Sequence, residues 1–130
     1  MKSSKQKKTP LLTAIKNYID SNPVPFDVPG HKMGRIHNEF TDLIGIKVYQ
    51  ADINAPIGID NLYKGTGVIF ESEMLLAEAY DADKAIFLIN GTTSGIMTMI
   101  MGCVNAGEKI ILPRNVHKSA INALIVSGAI

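Results

Sequence analysis

The chain is short of cysteine, tryptophan and net charge. One cysteine, Cys103, and no tryptophan occur among its 130 residues. A single thiol excludes an internal disulfide framework and any zinc site built from several cysteines, so we expect a reducing, cytoplasmic setting. Apolar runs such as Ile86–Ile89 and Ile96–Met101 fall far short of the roughly 20 residues that a membrane span needs. Thirteen basic and twelve acidic residues leave a net charge of +1, so the composition implies no broad basic face for nucleic acid.

The amino-terminal residues predict a basic tail followed by a helix. Residues 1–8 contain four lysines and predict a solvated tail. Charged residues interrupt the apolar run that follows, so we do not expect a signal peptide. Thr9 is a favourable N-cap and Pro10 suits the first helical position, where its missing N–H costs nothing. The helix that begins there is expected to end at Asn22-Pro23.

The next stretch, up to residue 67, is mostly loop in character. Residues 22–34 contain three prolines and two glycines, which predict an ordered loop rather than a regular element. Residues 37–44 predict a short amphipathic helix, residues 47–53 a small strand, and residues 55–67 a further loop.

From residue 68 onward, predicted helices alternate with predicted strands. Short unbroken apolar runs are typical of strands that are buried on both faces. The predicted elements are a helix over 69–80, a strand over 85–89, a deeply buried helix over 96–104, a strand over 109–112 and a helix over 117–126. This order predicts an α/β fold with a βαβα unit of a mostly parallel sheet and a right-handed crossover.

Such a sheet would bring two loops to one edge. Ligands of open parallel sheets bind beyond the carboxyl ends of the strands. The loops in that position are Asn90–Ser94 and Pro113–Val116. If the two strands are neighbours, Thr92–Ser94 and His117 face the same crevice.

The first of these loops carries chemistry that suits a phosphate. Asn90–Gly95 places three hydroxyl groups and two glycines at a helix N-terminus, where free N–H groups and the positive end of the helix dipole converge. An Asn-Gly turn with a Thr or Ser cap has the same residues in proteins that bind no ligand, and the motif alone leaves both interpretations open. It is neither a Walker loop nor a nucleophile elbow.

The second loop brings an imidazole and two cations. A lone histidine at a helix start is usually structural, but the position of His117 beside a presumed phosphate site favours a functional role. The three histidines and Cys103 lack the spacing of metal ligands, so no metal site is predicted. Cys103 itself is expected to pack among apolar neighbours. A small hydrolase using Ser94 and His117 is a further alternative, without a recognisable acid partner.

Three sequence blocks together resemble the ornithine/lysine/arginine decarboxylases, which depend on pyridoxal 5′-phosphate and have the aspartate-aminotransferase fold (fold type I). The blocks are Pro25–Lys32, Asn90–Gly95 and Pro113–Ser119, and the match runs from about Thr9 to the last residue. The resemblance implies a partial fold of that type. Its expected segments are a basic tail (1–8), an N-terminal helix and active-site loop segment (9–67) and the truncated start of the cofactor-binding major domain (68–130).

The resemblance also implies a role for individual residues. The family's phosphate cup corresponds to Gly91, Thr92, Thr93 and Ser94. His117 falls where the family stacks an imidazole on the cofactor ring. His31 and Lys32 fall in a loop on the substrate side of the active site, for which we expect a supporting role.

The sequence departs from the family pattern on the substrate side. Met33 stands where a second glycine is common. Asn61 and Tyr63 replace the acid and the histidine of a frequent Asp-Asp-Leu-His run. These differences affect the substrate-side loops more than the cofactor cup.

Two groups that the family's chemistry requires have no counterpart here. Decarboxylation through this cofactor needs a Schiff-base lysine and a carboxylate beside the pyridinium nitrogen. In the family both lie downstream of the phosphate loop, and none of the eleven lysines here has a matching context. We therefore expect an N-terminal fragment of a decarboxylase, inactive alone, that carries the phosphate cup and the stacking residue.

The complete enzyme implied by the resemblance acts on arginine, lysine or ornithine, in polyamine biosynthesis or acid resistance. It is expected to be a cytoplasmic homo-oligomer that binds neither nucleic acid nor membranes. The alternative is a non-catalytic phosphate-binding or dimerisation module derived from the same scaffold.

Overall fold

The computed structural model describes residues 4–130, and the regular elements in that range are helical. Two short 3-10 turns lie at Ser4–Lys7 and Lys32–Gly34. The α-helices are α1 (Pro10–Asp20), α2 (Glu39–Ile44), α3 (Ile46–Ala51), α4 (Val68–Tyr80), α5 (Gly91–Cys103) and α6 (Lys118–Ser127). None of the helices in the part of the chain described is long and apolar enough to cross a membrane.

The chain divides into two compact units, the first ending at Ile86 and the second spanning Phe87–Ile130. In the first unit α1 packs on α4, and the backbone N–H of Leu11 donates to Ser72 Oγ at 3.3 Å. The Ser4–Lys7 turn also packs on α4. The first three residues of the predicted basic tail lie outside the described residues. The predicted segments 1–8, 9–67 and 68–130 stay predictions.

The predicted start of α1 is confirmed, although the Thr9 side chain makes no capping hydrogen bond, and the predicted start of α2 is two residues too early. The first helix begins at Pro10, as predicted from the Thr9-Pro10 pair. The helix predicted over 37–44 is confirmed, but it begins at Glu39 because Asn38 forms a capping box. The Asn38 side chain accepts from the N–H groups of Phe40 and Thr41, both at 3.0 Å, and the Thr41 hydroxyl accepts from the Asn38 N–H.

The strand predicted over residues 47–53 is wrong, because this segment forms helix α3. Ile46 and Tyr49 are three residues apart and therefore lie on one face of a helix. Both contact the buried Gly34, since a Cβ atom built there would lie 2.5 Å from Ile46 Cδ1 and 3.1 Å from Tyr49 Cβ. Packing on the Lys32–Gly34 turn thus favours a helix, which places Ile46 and Tyr49 on the same face, over a strand, which would place them on opposite faces.

The predicted α/β fold is also wrong for the described residues, which contain no strand and no sheet. Both segments predicted as buried strands are non-helical, but Ile86, Leu88, Ile89 and Ile111 are exposed, Ile111 almost fully. Residues 108–110 exchange two backbone hydrogen bonds with Ile130, of 2.8 and 3.0 Å, without forming a strand. Apolar composition alone does not make a strand, because a strand requires a neighbour in register, and among the described residues these two segments have none.

The second unit is organised around the contact between α5 and α6. Its buried hydrophobic residues are Ile100 on α5 and Ala120 and Ala123 on α6. Partly buried apolar residues surround them, namely Ile96, Met97, Val104, Ile110, Leu112, Val116 and Leu124. The predicted helices over 96–104 and 117–126 are confirmed, but α5 begins at Gly91, so that residues 91–94 of the predicted loop form its first turn. Helix α5 is also not buried all round, because Met99 and Met101 are exposed.

Candidate functional site

The first turn of α5 leaves polar groups without partners among residues 4–130. Asn90 precedes the helix, and its side chain makes no capping hydrogen bond. Gly91 has a φ of +70° and open space around its Cα. The hydroxyls of Thr92 and Thr93 are exposed and make no hydrogen bond to any described residue. This 13-residue helix therefore presents N–H groups and two hydroxyls to solvent at its positive end.

Ser94 differs from the two threonines of the predicted phosphate cup. Its hydroxyl donates to the Gly91 carbonyl oxygen at 2.8 Å, and the residue is half-buried. The hydroxyl proton is thus already used inside the first turn. Of the three hydroxyls in this turn, those of Thr92 and Thr93 have no hydrogen-bond partner within the part of the chain that the structure describes.

Gly95 is the last residue of the Asn90–Gly95 block, and close packing leaves no room for a side chain at this position. A Cβ atom built there would collide with Cδ1 of Leu88. The segment before α5 therefore folds back so that the Leu88 side chain lies over the start of the helix. The sequence analysis missed this contact, because it depends on the path of the preceding chain.

His117 lies at the start of α6, where its imidazole is the helix N-cap. Nδ1 accepts a hydrogen bond from the Ser119 backbone N–H at 3.2 Å and lies 2.9 Å from Ser119 Oγ. The residue as a whole is exposed. The ring is thus held along one edge and remains accessible elsewhere.

These contacts bear on the alternative of a small hydrolase. The Ser94 hydroxyl donates to a backbone carbonyl, and His117 Nδ1 accepts from Ser119 rather than from Ser94. A nucleophile needs a hydrogen bond to its base. The arrangement described here offers no such pair of Ser94 and His117.

The loop that contains His31 is tied to α3. His31 Nε2 lies 3.1 Å from Asp52 Oδ2, and the imidazole makes an edge contact with the Tyr49 ring at a centroid distance of 5.0 Å. Within the described residues, Nδ1 of His31 is buried and has no hydrogen-bond partner. The Lys32 ammonium group donates to the Asp27 carbonyl oxygen. Contacts with Tyr49 and Asp52 thus hold His31 in place, and the Lys32 side chain donates back to the backbone of the loop that contains it.

Cys103 and Asp60 are two further residues with chemically reactive or charged side chains. Cys103, predicted to be packed, is exposed at the last position of α5. Asp60 has a buried Oδ2 atom without a partner in the described part of the chain, and its carboxylate lies against the Gly67 Cα at the start of α4. Across residues 4–130, no group of three or more His, Cys, Asp or Glu side chains is arranged to hold a metal ion.

Comparison with known proteins identifies the family. Residues 9–130 match the family model described as the major domain of the Orn/Lys/Arg decarboxylases. This match covers nearly the whole chain, so the chain belongs to the Orn/Lys/Arg decarboxylase family. The resemblance predicted from the three sequence blocks is confirmed.

Individual relatives agree with this assignment. The chain is 43% identical over 127 residues to an arginine decarboxylase of Halalkalibacterium halodurans, which covers 97% of this chain and 26% of the relative. It is 41% identical over 126 residues to an arginine decarboxylase of Bacillus subtilis, with 96% and 26% covered. An inducible ornithine decarboxylase of Lactobacillus sp. (strain 30a) is 32% identical over 127 residues, with 92% and 17% covered. The chain thus spans about a quarter or less of these curated relatives, and the matched part is their N-terminal part.

Proposed function

We propose that this chain is the N-terminal part of a pyridoxal-phosphate-dependent decarboxylase of a basic amino acid, arginine, lysine or ornithine. The family assignment supports the decarboxylase class, and the arginine and ornithine decarboxylases among the relatives support arginine or ornithine as the substrate. The observation that carries the cofactor proposal is the first turn of α5, where the N–H groups lack a side-chain cap and Thr92 and Thr93 have free hydroxyls.

The groups at this helix start fit a phosphate monoester. A dianion is stabilised by the positive end of a helix and by N–H and hydroxyl donors. Gly91 has no Cβ to obstruct an approaching oxygen, and the space around its Cα is open. In the proposal, Gly91, Thr92 and Thr93 bind the phosphate, and Ser94 contributes mainly by holding the turn in shape.

His117 is proposed to cover one face of the cofactor ring. Its exposed imidazole is held by a hydrogen bond along one edge, which leaves its faces accessible for stacking. Pyridoxal phosphate would supply the electron sink that accepts the electron pair left when carbon dioxide departs. This chain would bind and orient it, whereas the covalent lysine and the ring-nitrogen carboxylate belong, by the family resemblance, further downstream.

His31 and Lys32 are proposed to support the substrate side. The contacts of His31 with α3 and of Lys32 with Asp27 favour a loop that is built before substrate binds. A cytoplasmic, homo-oligomeric complete enzyme and a role in polyamine biosynthesis or acid resistance are part of the same proposal.

The test uses pyridoxine 5′-phosphate, which lacks the aldehyde and so cannot react with the lysines. We expect it to shift the amide NMR signals of residues 91–94, and unphosphorylated pyridoxine to leave them unchanged. The variant Thr92→Val/Thr93→Val should weaken binding about tenfold, since it removes two hydroxyl hydrogen bonds. Unchanged signals at 91–94 with the phosphorylated ligand would contradict the proposal.

A second variant separates a cofactor cup from a simple phosphate-binding module. His117→Ala should weaken pyridoxine 5′-phosphate several-fold and leave inorganic phosphate unaffected, because only the former has a ring to stack. If both ligands bind equally well to both proteins, the non-catalytic alternative is correct.

A further inference from the structure

Ser119 combines a polar side chain with nearly complete burial. It is 1% exposed, and its neighbours Ala120 and Ala123 on α6 belong to the core of the second unit. Buried hydroxyls are normally hydrogen-bonded. The partner here is the Nδ1 atom of His117, 2.9 Å from Ser119 Oγ.

The backbone settles which atoms donate in this contact. The Ser119 N–H can only donate, and it points to His117 Nδ1 at 3.2 Å. Nδ1 is therefore an acceptor, and the neutral imidazole carries its proton on Nε2. The Ser119 hydroxyl then donates to the same lone pair, so that the two donors share Nδ1 in a three-centre hydrogen bond. The amide and the hydroxyl of Ser119 thus hold one edge of the His117 ring. Ser119 is itself held in place by its burial in the core.

This pair is not a nucleophile and its base. Ser119 lies beside an imidazole nitrogen at a distance suited to proton transfer, but its side chain has almost no contact with solvent. A nucleophilic hydroxyl has to be reached by its substrate. Because Ser119 is buried, it can orient the His117 imidazole but cannot attack a substrate directly.

We propose that Ser119 is the positioning residue of His117: its hydroxyl and amide hold the imidazole in the one orientation in which its face can stack on a cofactor ring. The inference rests on the proposed role of His117. It adds a residue outside the cofactor cup that determines how well the stacking residue works.

The first experiment measures ring orientation without any ligand. In the 15N-labelled full chain we expect a through-hydrogen-bond coupling between His117 Nδ1 and the Ser119 amide nitrogen, and a single His117 side-chain rotamer. Ser119→Ala should raise the population of the other rotamers about fivefold, as expected for the loss of one hydrogen bond. Ser127→Ala is the matched control, because its hydroxyl lies on the same helix and donates to Leu124 O at 3.3 Å.

Two results would overturn the inference. One is a wild-type chain whose His117 is rotationally averaged and lacks the coupling, a result that does not depend on how any variant folds. The other is a folded Ser119→Ala chain with a His117 ring as ordered as in the wild type. His117→Asn should retain α6, since Asn is also a good N-cap, and so checks that the helix survives without the ring.

The second experiment links orientation to binding. Ser119→Ala should weaken pyridoxine 5′-phosphate about threefold to fivefold, leave inorganic phosphate unchanged, and cause no further loss in a chain that already carries His117→Ala. If the ring is ordered by Ser119 but the ligand does not bind, the proposed function fails and the positioning role stands. If the ligand binds and Ser119→Ala affects neither ring nor affinity, the positioning role alone fails.

Discussion

The imidazole of His31 is joined to the carboxylate of Asp52, which lies 21 residues further along the chain, by a contact of 3.1 Å between Nε2 and Oδ2. Only 18% of the His31 side chain is exposed, against 66% of the Asp52 side chain. This contact and the Tyr49 ring join the Pro25–Lys32 block to the end of α3. The block therefore depends on a residue outside it for its conformation.

Asp52→Ala should loosen the loop around His31. A pair of this exposure is worth about 0.5–1 kcal/mol, so we expect amide hydrogen exchange of Gly34 and Arg35 to become about two- to fivefold faster. The matched control is Asp42→Ala, which removes the more exposed His37–Asp42 pair of 2.8 Å. It should leave exchange at residues 34 and 35 unchanged. Equal acceleration by both variants would show that the Asp52 contact has no specific role.

Gly34 should tolerate no side chain, because α3 approaches it closely. Its φ of +79° makes any other residue strained by about 1–2 kcal/mol. Gly34→Ala also displaces the end of the exposed Ile46 side chain and crowds Tyr49 Cβ, which adds about 1 kcal/mol. Gly58→Ala is the control for strain alone, since Gly58 has a φ of +90° and no neighbour within 4 Å of the added carbon.

We therefore expect Gly34→Ala to expose the α3 amides to hydrogen exchange far more than Gly58→Ala does. Adding Ile46→Val, which removes the colliding Cδ1 atom, should restore part of the protection. If Gly34→Ala and Gly58→Ala behave alike, the close packing of α3 on the Lys32–Gly34 turn is refuted.

The features that could be predicted from sequence are those decided within a few residues. Pro10 suits the first position of α1 because it has no N–H to satisfy, whereas the Thr9 side chain makes no capping hydrogen bond. Asn38 marks the start of α2 through its side-chain hydrogen bonds. Residues 47–53 were assigned the wrong element because their side chains suit both a strand and a helix, and only the contact of Ile46 and Tyr49 with Gly34 selects the helix. The sheet was wrong because a strand is defined by its neighbour, which composition does not reveal.

In the candidate site, too, the residue types could be predicted from sequence, whereas their contacts could not. The family blocks identify Thr92, Thr93 and His117 by type and order, and their roles stay predictions. The Ser94 hydroxyl donates within its own turn, and Ser119 holds His117. Neither contact could be predicted from residue types, because each depends on the three-dimensional arrangement. Asp52 carries no local signal at all, because its partner lies 21 residues away.

The three hydroxyls of the predicted phosphate cup should differ in importance. Thr92→Val and Thr93→Val each remove a hydroxyl that is free to donate, so each should weaken pyridoxine 5′-phosphate by about 0.5–1.5 kcal/mol. Ser94→Ala should have a smaller effect on affinity, because its hydroxyl already donates to the Gly91 carbonyl. Isothermal titration calorimetry of the three variants checks the order. A loss of affinity in Ser94→Ala larger than in both threonine variants would contradict it.

The isolated chain should unfold without a sharp cooperative transition. The buried hydrophobic residues in the described part are Ala77, Ile100, Ala120 and Ala123, three of them alanines. Phe26, Ile57 and Ile111 are at least nine-tenths exposed, and apolar surface left in water contributes nothing to stability. We expect differential scanning calorimetry to show a broad transition of low enthalpy, together with strong binding of a hydrophobic dye. Ile111→Lys should reduce the dye signal without changing the helical circular dichroism, since this side chain is in water. A steep transition whose calorimetric and van't Hoff enthalpies agree would contradict this expectation.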